Sequence, residues 1–399
     1  MGRRRVPEGK VKVKTMAGKK ILYPYEYDKN RRKKAKLYSK QKLYTGLLNG
    51  IIIPILVLGL IFFTGFSGWL EEILFGMISN SPLDYYWIGV FLYILSFMII
   101  VFLTGFPVSY YSGYVIEHRY DLSNQTSVQW FKDQIKSLLL SLLLSSPLIM
   151  GVFYLGSNYP NWWWLYAGII SFVIMGVLSN ISHLIFFPLF YNMEELEDEE
   201  LSEGLIQIAE QNGVPEVEKV VEVKAGEKTE KANAGFAGMG KTKRIYLFDT
   251  LLEKFHEDEI KSVVAHEMGH YVNKDTIRFI FLEALLIFPV FFAAGKLLDI
   301  WGGFQSISNL PIFILILFGL YSLIDPLTLA YSRHREREAD RFALDVVQDK
   351  KAMVSTFKRL SDIALSEISP KKIIEIMFYS HPPPSKRIKT IQKSVIKED

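Results

Sequence analysis

Long apolar runs separated by charged segments dominate the pattern of this chain. Six of them are nearly free of charge and lie at residues 47–66, 87–106, 138–155, 162–190, 280–294 and 310–330. A bilayer core about 30 Å thick needs a helix of roughly 20 apolar residues. The pattern therefore predicts a mainly α, polytopic membrane protein with about six spans.

The basic residues are distributed unevenly around these predicted spans. Residues 1–44 hold sixteen Lys and Arg but three acidic residues, whereas loops 67–86, 156–161 and 297–309 contain neither Lys nor Arg. Cytoplasmic loops carry the excess of Lys and Arg. We therefore predict a cell-membrane protein whose termini face the cytosol, as does the long insert at 192–279. Nucleic acid is an alternative partner for so basic a segment, but the adjacent apolar runs favour the membrane surface.

The insert at 192–279 has the mixed pattern of a small soluble domain. An acidic amphipathic helix is predicted over 193–211, and strands are predicted at 220–223 and 245–248. A turn region rich in Gly and Ala occupies 231–240 between the two strands. A small β-sheet is therefore expected on the cytosolic side.

The insert ends in a predicted helix, 257–274, that carries His-Glu-Met-Gly-His at 266–270. Positions i and i+4 share one helical face, so His266 and His270 can bind one metal ion, with Glu267 beside them as general base. The chain has no cysteine, so thiolate ligands and disulfides are excluded. Two imidazoles and a carboxylate suit Zn²⁺ and leave a position for water.

The third ligand must come from elsewhere, because Thr276 occupies the position at which metzincins place a third histidine. On a helix over 331–343, Glu336 and Asp340 share a face with two alanines, which allows close approach to another helix. Glu336 is the predicted third ligand, and Asp340 is expected to hold a ligand histidine or to assist proton transfer. His334 is the chemical competitor, and an ordinary solvated charged helix is the structural alternative.

A proline-rich segment near the end supplies two further candidates. His381 precedes three prolines, which force an extended segment, and could donate a hydrogen bond to an oxyanion. Arg387 could anchor this loop or the carboxylate of a substrate. A turn role for His381 is the plainer alternative.

Residues 235–242 match the phosphate-binding pattern G-x-x-x-x-G-K-T. A P-loop needs a strand before this pattern and a helix after it, but the residues that follow are strand-like. We therefore predict no nucleotide partner, and a hairpin of small residues near the metal site explains the glycines better.

These motifs together resemble the type I CAAX prenyl protease family of integral-membrane zinc metalloproteases. The matching pieces, in chain order, are Tyr114-Val-Ile-Glu117, Asn124-Gln-Thr126, Pro188-Leu-Phe190, Asn233-Ala234, 243–252, 266–270, 332–340 and His381-Pro-Pro383. They cover most of residues 110–390. Eukaryotic members have seven spans, so the compact form suggests a prokaryotic member.

The resemblance implies roles for the candidate residues. His266, His270 and Glu336 would bind zinc, Glu267 would be the general base, and Asp340 would assist. Substrate would add as a strand beside Asn233 and Ala234. His381 would line the site, and the membrane helices would surround a water-filled chamber.

The predicted function is therefore zinc-dependent endopeptidase cleavage of hydrophobic, lipid-attached or membrane-associated peptides. Membrane-protein quality control, as in the heat-shock membrane metalloproteases, is an alternative, and a transporter or scaffold with a structural metal site is another. Five segments are predicted: a basic cytosolic segment (1–44), spans one to four (45–191), the metalloprotease insert (192–279), spans five and six (280–330), and C-terminal helices with the third ligand (331–399).

Overall fold

The computed structural model describes residues 11–14, 20–79, 85–238 and 242–395, and helices dominate them. The helices of the N-terminal half are α1 (Lys29–Leu47), α2 (Ile53–Phe63), α3 (Phe66–Ile78), α4 (Tyr85–Tyr110), α5 (Glu117–Arg119), α6 (Ser127–Asn158) and α7 (Trp163–Phe190). Those of the C-terminal half are α8 (Glu199–Gln211), α9 (Asp249–Lys254), α10 (Glu257–Val272), α11 (Asp275–Leu298), α12 (Leu310–Val347), α13 (Lys350–Ile363), α14 (Lys372–Phe378) and α15 (Pro384–Lys393). Wider π-helical turns, Leu48–Ile52 and Tyr111–Ile116, join α1 to α2 and α4 to α5.

Six helical stretches of the described residues are long and apolar enough to cross a membrane. They are Lys29–Phe63, Tyr86–Arg119, Ser127–Asn158, Trp163–Ser182, Asp275–Trp301 and Ile307–Val347. The predicted number of spans is confirmed. A span needs apolar side chains only within the bilayer, so these helices can extend into polar sequence at their ends.

Two helices cross the boundaries that hydropathy suggested. The first begins at Lys29, well before the apolar run, because Asp28 accepts hydrogen bonds from the amides of Asn30 and Arg31 and caps the helix. Helix α12 continues unbroken from the sixth apolar run to Val347. One rigid element therefore joins the membrane region to the charged segment around residue 336.

The membrane helices pack around aromatic side chains and glycines. Trp163, Phe304 and Phe313 form a mutually edge-on cluster. A Cβ at Gly156 would lie 2.3 Å from the ring of Phe304, and one at Gly295 would lie 2.8 Å from the indole of Trp163. Glycine is needed at both positions because a side chain there would clash with the aromatic ring.

The insert between α7 and α11 contains a mixed sheet with the strand order β3-β4-β6-β5. The strands are β3 (Met193–Glu195), β4 (Val217–Val223), β5 (Ala234–Ala237) and β6 (Lys243–Phe248), numbered after an N-terminal hairpin of β1 (Val11–Lys14) and β2 (Lys20–Tyr23). Strands β4 and β6 run parallel, and β3 and β5 add antiparallel at the two edges. Leu205, Val220, Leu247 and Val264 join the sheet, α8 and α10 in one apolar core.

Two expectations for the insert were wrong in detail. The predicted acidic helix begins at Glu199, capped by Asp198, whereas its first residues form β3 because they pair with β4. The predicted turn region contains β5, because small residues there pair with β6. Local propensity favours other structures in both segments, and sheet pairing overrides it.

Candidate metal centre

Helix α10 carries the His-Glu-x-x-His residues in its second half. The acidic side chains Glu257, Asp258 and Glu259 lie in its first turn, where they suit the positive end of the helix dipole. Its other face is anchored in the core by Val264 and Met268. This packing fixes the rotation of the helix and therefore the direction of His266, Glu267 and His270.

Helix α12 brings Glu336 and Asp340 to the same place. Both carboxylates are buried, together with Ala339 and Ala343, as the predicted face requires. A Cβ on Gly269 would lie 3.0 Å from the Cα of Ala339, so the two backbones nearly touch. The small residues therefore let both carboxylates reach the histidines.

The other side chains of α12 differ in burial. Arg333, which is not on the face of Glu336 and Asp340, is also buried and donates to the carbonyls of Glu375 and Tyr379. His334, the competing candidate for third ligand, is exposed on this helix. The buried face therefore presents carboxylates to α10.

Three side chains converge as a potential ligand set. The Nε2 atoms of His266 and His270 are 3.3 Å apart. His266 Nε2 is 3.4 Å from Glu336 Oε2, and His270 Nε2 is 3.3 Å from Glu336 Oε1. One ligand atom from each residue lies within 4.8 Å of the others, a spacing that can hold a metal ion.

Two carboxylates fix the histidine rings from behind. His266 Nδ1 is 3.0 Å from Asp340 Oδ1, and His270 Nδ1 is 2.9 Å from Asp275 Oδ2. Such partners hold the proton on Nδ1 and direct the Nε2 lone pair at a metal. The buried Glu336 Oε2 accepts no hydrogen bond from the described residues. Converging lone pairs beside a bare carboxylate oxygen fit a divalent cation.

The same surroundings control the protonation of the histidines. Burial and the guanidinium of Arg387 lower the pKa of His266, but hydrogen bonds to Asp340 and Glu336 outweigh them and raise it to about 9. Burial also opposes the charge on His270, yet its carboxylate partners raise its pKa. A metal ion must therefore displace a proton from this site.

Asp275 was missed by the sequence analysis. It is the first residue of α11, directly after Lys274, whose φ of 56° is left-handed. The buried Arg335 donates to it across 2.6 Å. An aspartate five residues after His270 is the only trace in the sequence, because its contact depends on a tight turn between two helices.

The cleft beside the ligand set contains the other predicted site residues. Asn233, His266, Glu267, His381 and Arg387 all line it. Ala234 begins the edge strand β5 immediately after Asn233. The sequence candidates from three separate segments thus meet in one cleft.

His381 and Arg387 flank the start of α15. The prolines end the preceding segment as expected, but the third of them, Pro384, begins a helix, a position that proline tolerates well. His381 is largely exposed, and its Nε2 is 3.1 Å from Glu336 Oε1. Arg387 donates to both oxygens of Asp340 at 2.9 and 2.5 Å and lies over the ring of Phe357.

The N-terminal segment, expected mainly at the membrane surface, also supports the site. Tyr25 and Arg32 both donate to the fully buried Asp362 of α13. In turn, Arg359 of α13 donates to Glu259 of α10 at 2.9 Å. These long-range contacts tie the chain before the first span to the helix that carries His266.

The segment that matched the phosphate-binding pattern runs into strand β6. Residues 239–241 of the pattern lie outside the described residues, and Lys243–Phe248 is a strand. The helix that a P-loop requires after its lysine does not occur at this point of the described chain.

Comparison with known proteins gives two family matches that cover almost the whole chain. Residues 22–192 match the CAAX prenyl protease N-terminal model of five membrane helices, and residues 195–395 match peptidase family M48. The described fold is similar to the crystal structure of Ste24p from S. mikatae, with a TM-score of 0.78, 23% identity and coverage of 91% of this chain and 89% of that one. At this identity the likeness shows the fold.

Several curated proteins are related in sequence. The metalloprotease YhfN of Bacillus subtilis is 30% identical over 70% of this chain and 68% of its own length. A CAAX prenyl protease 1 homolog of Arabidopsis thaliana is 27% identical over 92% and 88%, and CAAX prenyl protease 1 of Saccharomyces cerevisiae is 28% identical over 72% and 68%. With its spans and its His-His-Glu cluster, the chain therefore belongs to peptidase family M48 and is an integral, multi-pass membrane metalloendopeptidase of the CAAX prenyl protease type.

Proposed function

We propose that the chain is a zinc-dependent endopeptidase whose metal is held by His266, His270 and Glu336. The observation that carries this proposal is the convergence of two Nε2 atoms and one carboxylate within 4.8 Å. Three protein ligands of this kind leave a fourth position for water, as catalytic zinc sites do, whereas structural sites are closed by four. Membership of a peptidase family supports the same choice over a transporter or scaffold.

Zinc in such a site supplies polarisation of the scissile carbonyl and a lowered pKa for bound water. Glu267 follows His266 directly and lines the same cleft, so its carboxylate accepts the proton of the attacking water and returns it to the leaving amine. Asp340 and Asp275 keep the histidine Nδ1 protons in place. For Asp340 this geometry supports the holding role over proton transfer.

The two residues near the C-terminus have different roles in this proposal. His381 reaches the ligand set from an exposed loop, so its imidazole can donate to the oxyanion that forms on the substrate. Arg387 is engaged by both oxygens of Asp340. It therefore anchors α15, and this contact favours anchoring over capture of a substrate carboxylate.

Substrate recognition is proposed along strand β5. This strand is at an edge of the sheet, and Asn233 at its beginning lines the cleft with Glu267. An extended peptide can add to such an edge through main-chain hydrogen bonds. Ala234 then lies beside the scissile segment and leaves room for it because its side chain is small.

The proposed substrates are hydrophobic, lipid-attached or membrane-associated peptides on the cytosolic side. The relatives named CAAX prenyl protease favour processing of CAAX-type substrates, and quality control of membrane proteins is the second candidate. Comparing two peptides that differ only in a prenyl group separates these candidates by their kcat/KM values.

The test of the proposal is peptide cleavage by the purified full chain in detergent. We expect cleavage of an unstructured reporter to stop with a chelator and to return when zinc is added. Cleavage that persists in chelator-treated, metal-free protein would contradict the zinc assignment.

A further inference from the structure

Strand β5 depends on contacts with the membrane helices as well as with its own sheet. Its pairing with β6 joins Ala234 to Leu247 and Ala237 to Arg244. The residues immediately before Asn233 are outside the sheet. They contact the loop that connects α5 to α6. The contacts that hold this segment therefore determine the position of the free edge of β5 relative to the metal centre.

The main chain makes the first part of this connection. Ser123 and Thr229 form an antiparallel bridge, and Asn124 N donates to Lys228 O at 3.1 Å. Glu230 N donates to Leu122 O at 3.1 Å. These bonds extend the approach to β5 as far as residue 230.

A charged network centred on the buried Glu117, which we name the Glu117 network, makes the second part. Lys231 Nζ lies 2.9 Å from Glu117 Oε2 and 3.0 Å from the hydroxyl of Tyr38. That hydroxyl donates to Glu117 Oε1 at 2.7 Å, and Lys42 Nζ lies 3.0 Å from the same oxygen. Glu117 belongs to α5, and Tyr38 and Lys42 belong to α1.

The Glu117 network holds the residues immediately before β5, the strand proposed to bind the substrate. Lys231 is two residues before Asn233, and its own carbonyl accepts a bond from Thr250 Oγ1 at 2.9 Å. Both the side chain and the main chain of Lys231 are therefore fixed. Glu117 is buried, so water competes little for its carboxylate, although the Lys231 side chain is 37% exposed.

We infer that Glu117, Lys231 and Tyr38 are positioning residues for peptide binding, which hold the edge of β5 at the distance from the metal centre that an added substrate strand requires. This inference rests on the proposed function. It assigns to the junction of α1 and α5 control over substrate affinity, while the reacting groups are untouched. Glu117, Lys231 and Tyr38 are outside both the cleft lining and the ligand set.

The experiment compares Lys231→Met with Lys231→Arg and with the wild type in peptide cleavage. Loss of the ion pair is expected to raise KM about tenfold and to change kcat less than about twofold. The β5 edge binds the substrate and the transition state equally, so its displacement weakens both to the same extent. Arginine keeps the charge and its donors, so Lys231→Arg is expected to restore most of the affinity. Lys219→Met is the matched control, since Lys219 pairs with Glu195 at the opposite side of the same sheet.

Amide hydrogen exchange of residues 232–237 gives a readout that needs no catalysis. We expect faster exchange there in Lys231→Met and in Tyr38→Phe, which removes one hydroxyl only, with unchanged metal content. An unchanged KM and unchanged exchange would overturn the inference, as would a loss of kcat at constant KM. If the wild type does not cleave peptide, the proposed function fails and the exchange measurement alone decides the inference.

Discussion

At the scale of single residues, Asp340 and Asp275 contact the Nδ1 atoms of the two histidines and so orient their Nε2 atoms. Asp340 was found from the sequence because it shares a helical face with Glu336, as its burial confirms. Asp275 was not, because its contact with His270 depends on the turn at Lys274. Helical periodicity predicts neighbours within one helix, whereas a contact across a turn requires the three-dimensional path of the chain.

Asp275→Asn is predicted to weaken zinc binding about tenfold or more, since partners behind a ligand histidine contribute this much to affinity. The amide keeps the size of the side chain but loses the charge that holds the His270 proton and pairs with Arg335. A competition titration with a chromogenic chelator measures the change. Asp299→Asn is the control, since Asp299 is exposed at the other end of α11, and equal affinity in all three proteins would refute the role of Asp275.

The pH dependence of the metal-free protein follows from His266. Its pKa is raised from 6.5 to about 9 in the folded state. Protonation therefore stabilises the metal-free fold fully below pH 6.5, and this contribution is lost as the pH rises towards 9. We predict that the Tm of the metal-free protein falls across this window while its zinc affinity increases, because binding releases the proton.

Thermal unfolding and metal titration over the same pH range test this prediction. The exposed His334 offers a control, and His334→Gln is expected to keep both trends. A zinc affinity that does not change across the window would contradict the assignment.

At the scale of elements, the site depends on the close approach of α10 and α12. The sequence predicted this approach from the alanines of α12, and the main chains meet at Gly269 and Ala339. It did not predict β5, because an Ala-Gly-Phe-Ala segment becomes a strand only through pairing with β6. The residue pattern alone thus indicated the reactive groups, whereas the substrate-binding edge at Asn233 and Ala234 was expected only from the family resemblance.

Gly269→Ala is predicted to destabilise the protein by about 1–3 kcal/mol and to weaken metal binding, because the added methyl overpacks the helix contact. Gly204→Ala, in the middle of α8, is the matched control, since a Cβ there meets no atom within 4 Å. This control is expected to gain up to about 1 kcal/mol from helix propensity. Equal stability changes in the two variants would show that the approach of α10 and α12 is not tight.

At the scale of the whole molecule, hydropathy predicted the number of spans but not how the first helix is used. Tyr25 and Arg32 contact Asp362, more than three hundred residues away in sequence. Composition indicates that a basic segment suits anionic surfaces, yet specific long-range pairs leave no periodic pattern. The segment before the first span is therefore part of the catalytic scaffold.

Sidedness is tested by cysteine labelling, which is clean because the sequence contains no cysteine. The positive-inside pattern places Glu203 in the cytosol and both Asn161 and Gln305 outside. All three side chains are exposed in the structure. In intact cells, a membrane-impermeant maleimide is predicted to label Asn161→Cys and Gln305→Cys but not Glu203→Cys until the membrane is opened; the reverse pattern would invert the topology.

We propose that Glu267 performs the proton transfers at a zinc site built by His266, His270 and Glu336. The most direct measurement compares metal content and peptide cleavage in the wild type and in Glu267→Gln. We expect one zinc per chain in both proteins and a loss of kcat of at least about a hundredfold in the variant, the scale of general acid–base catalysis. A zinc-loaded Glu267→Gln protein that cleaves at the wild-type rate would contradict it.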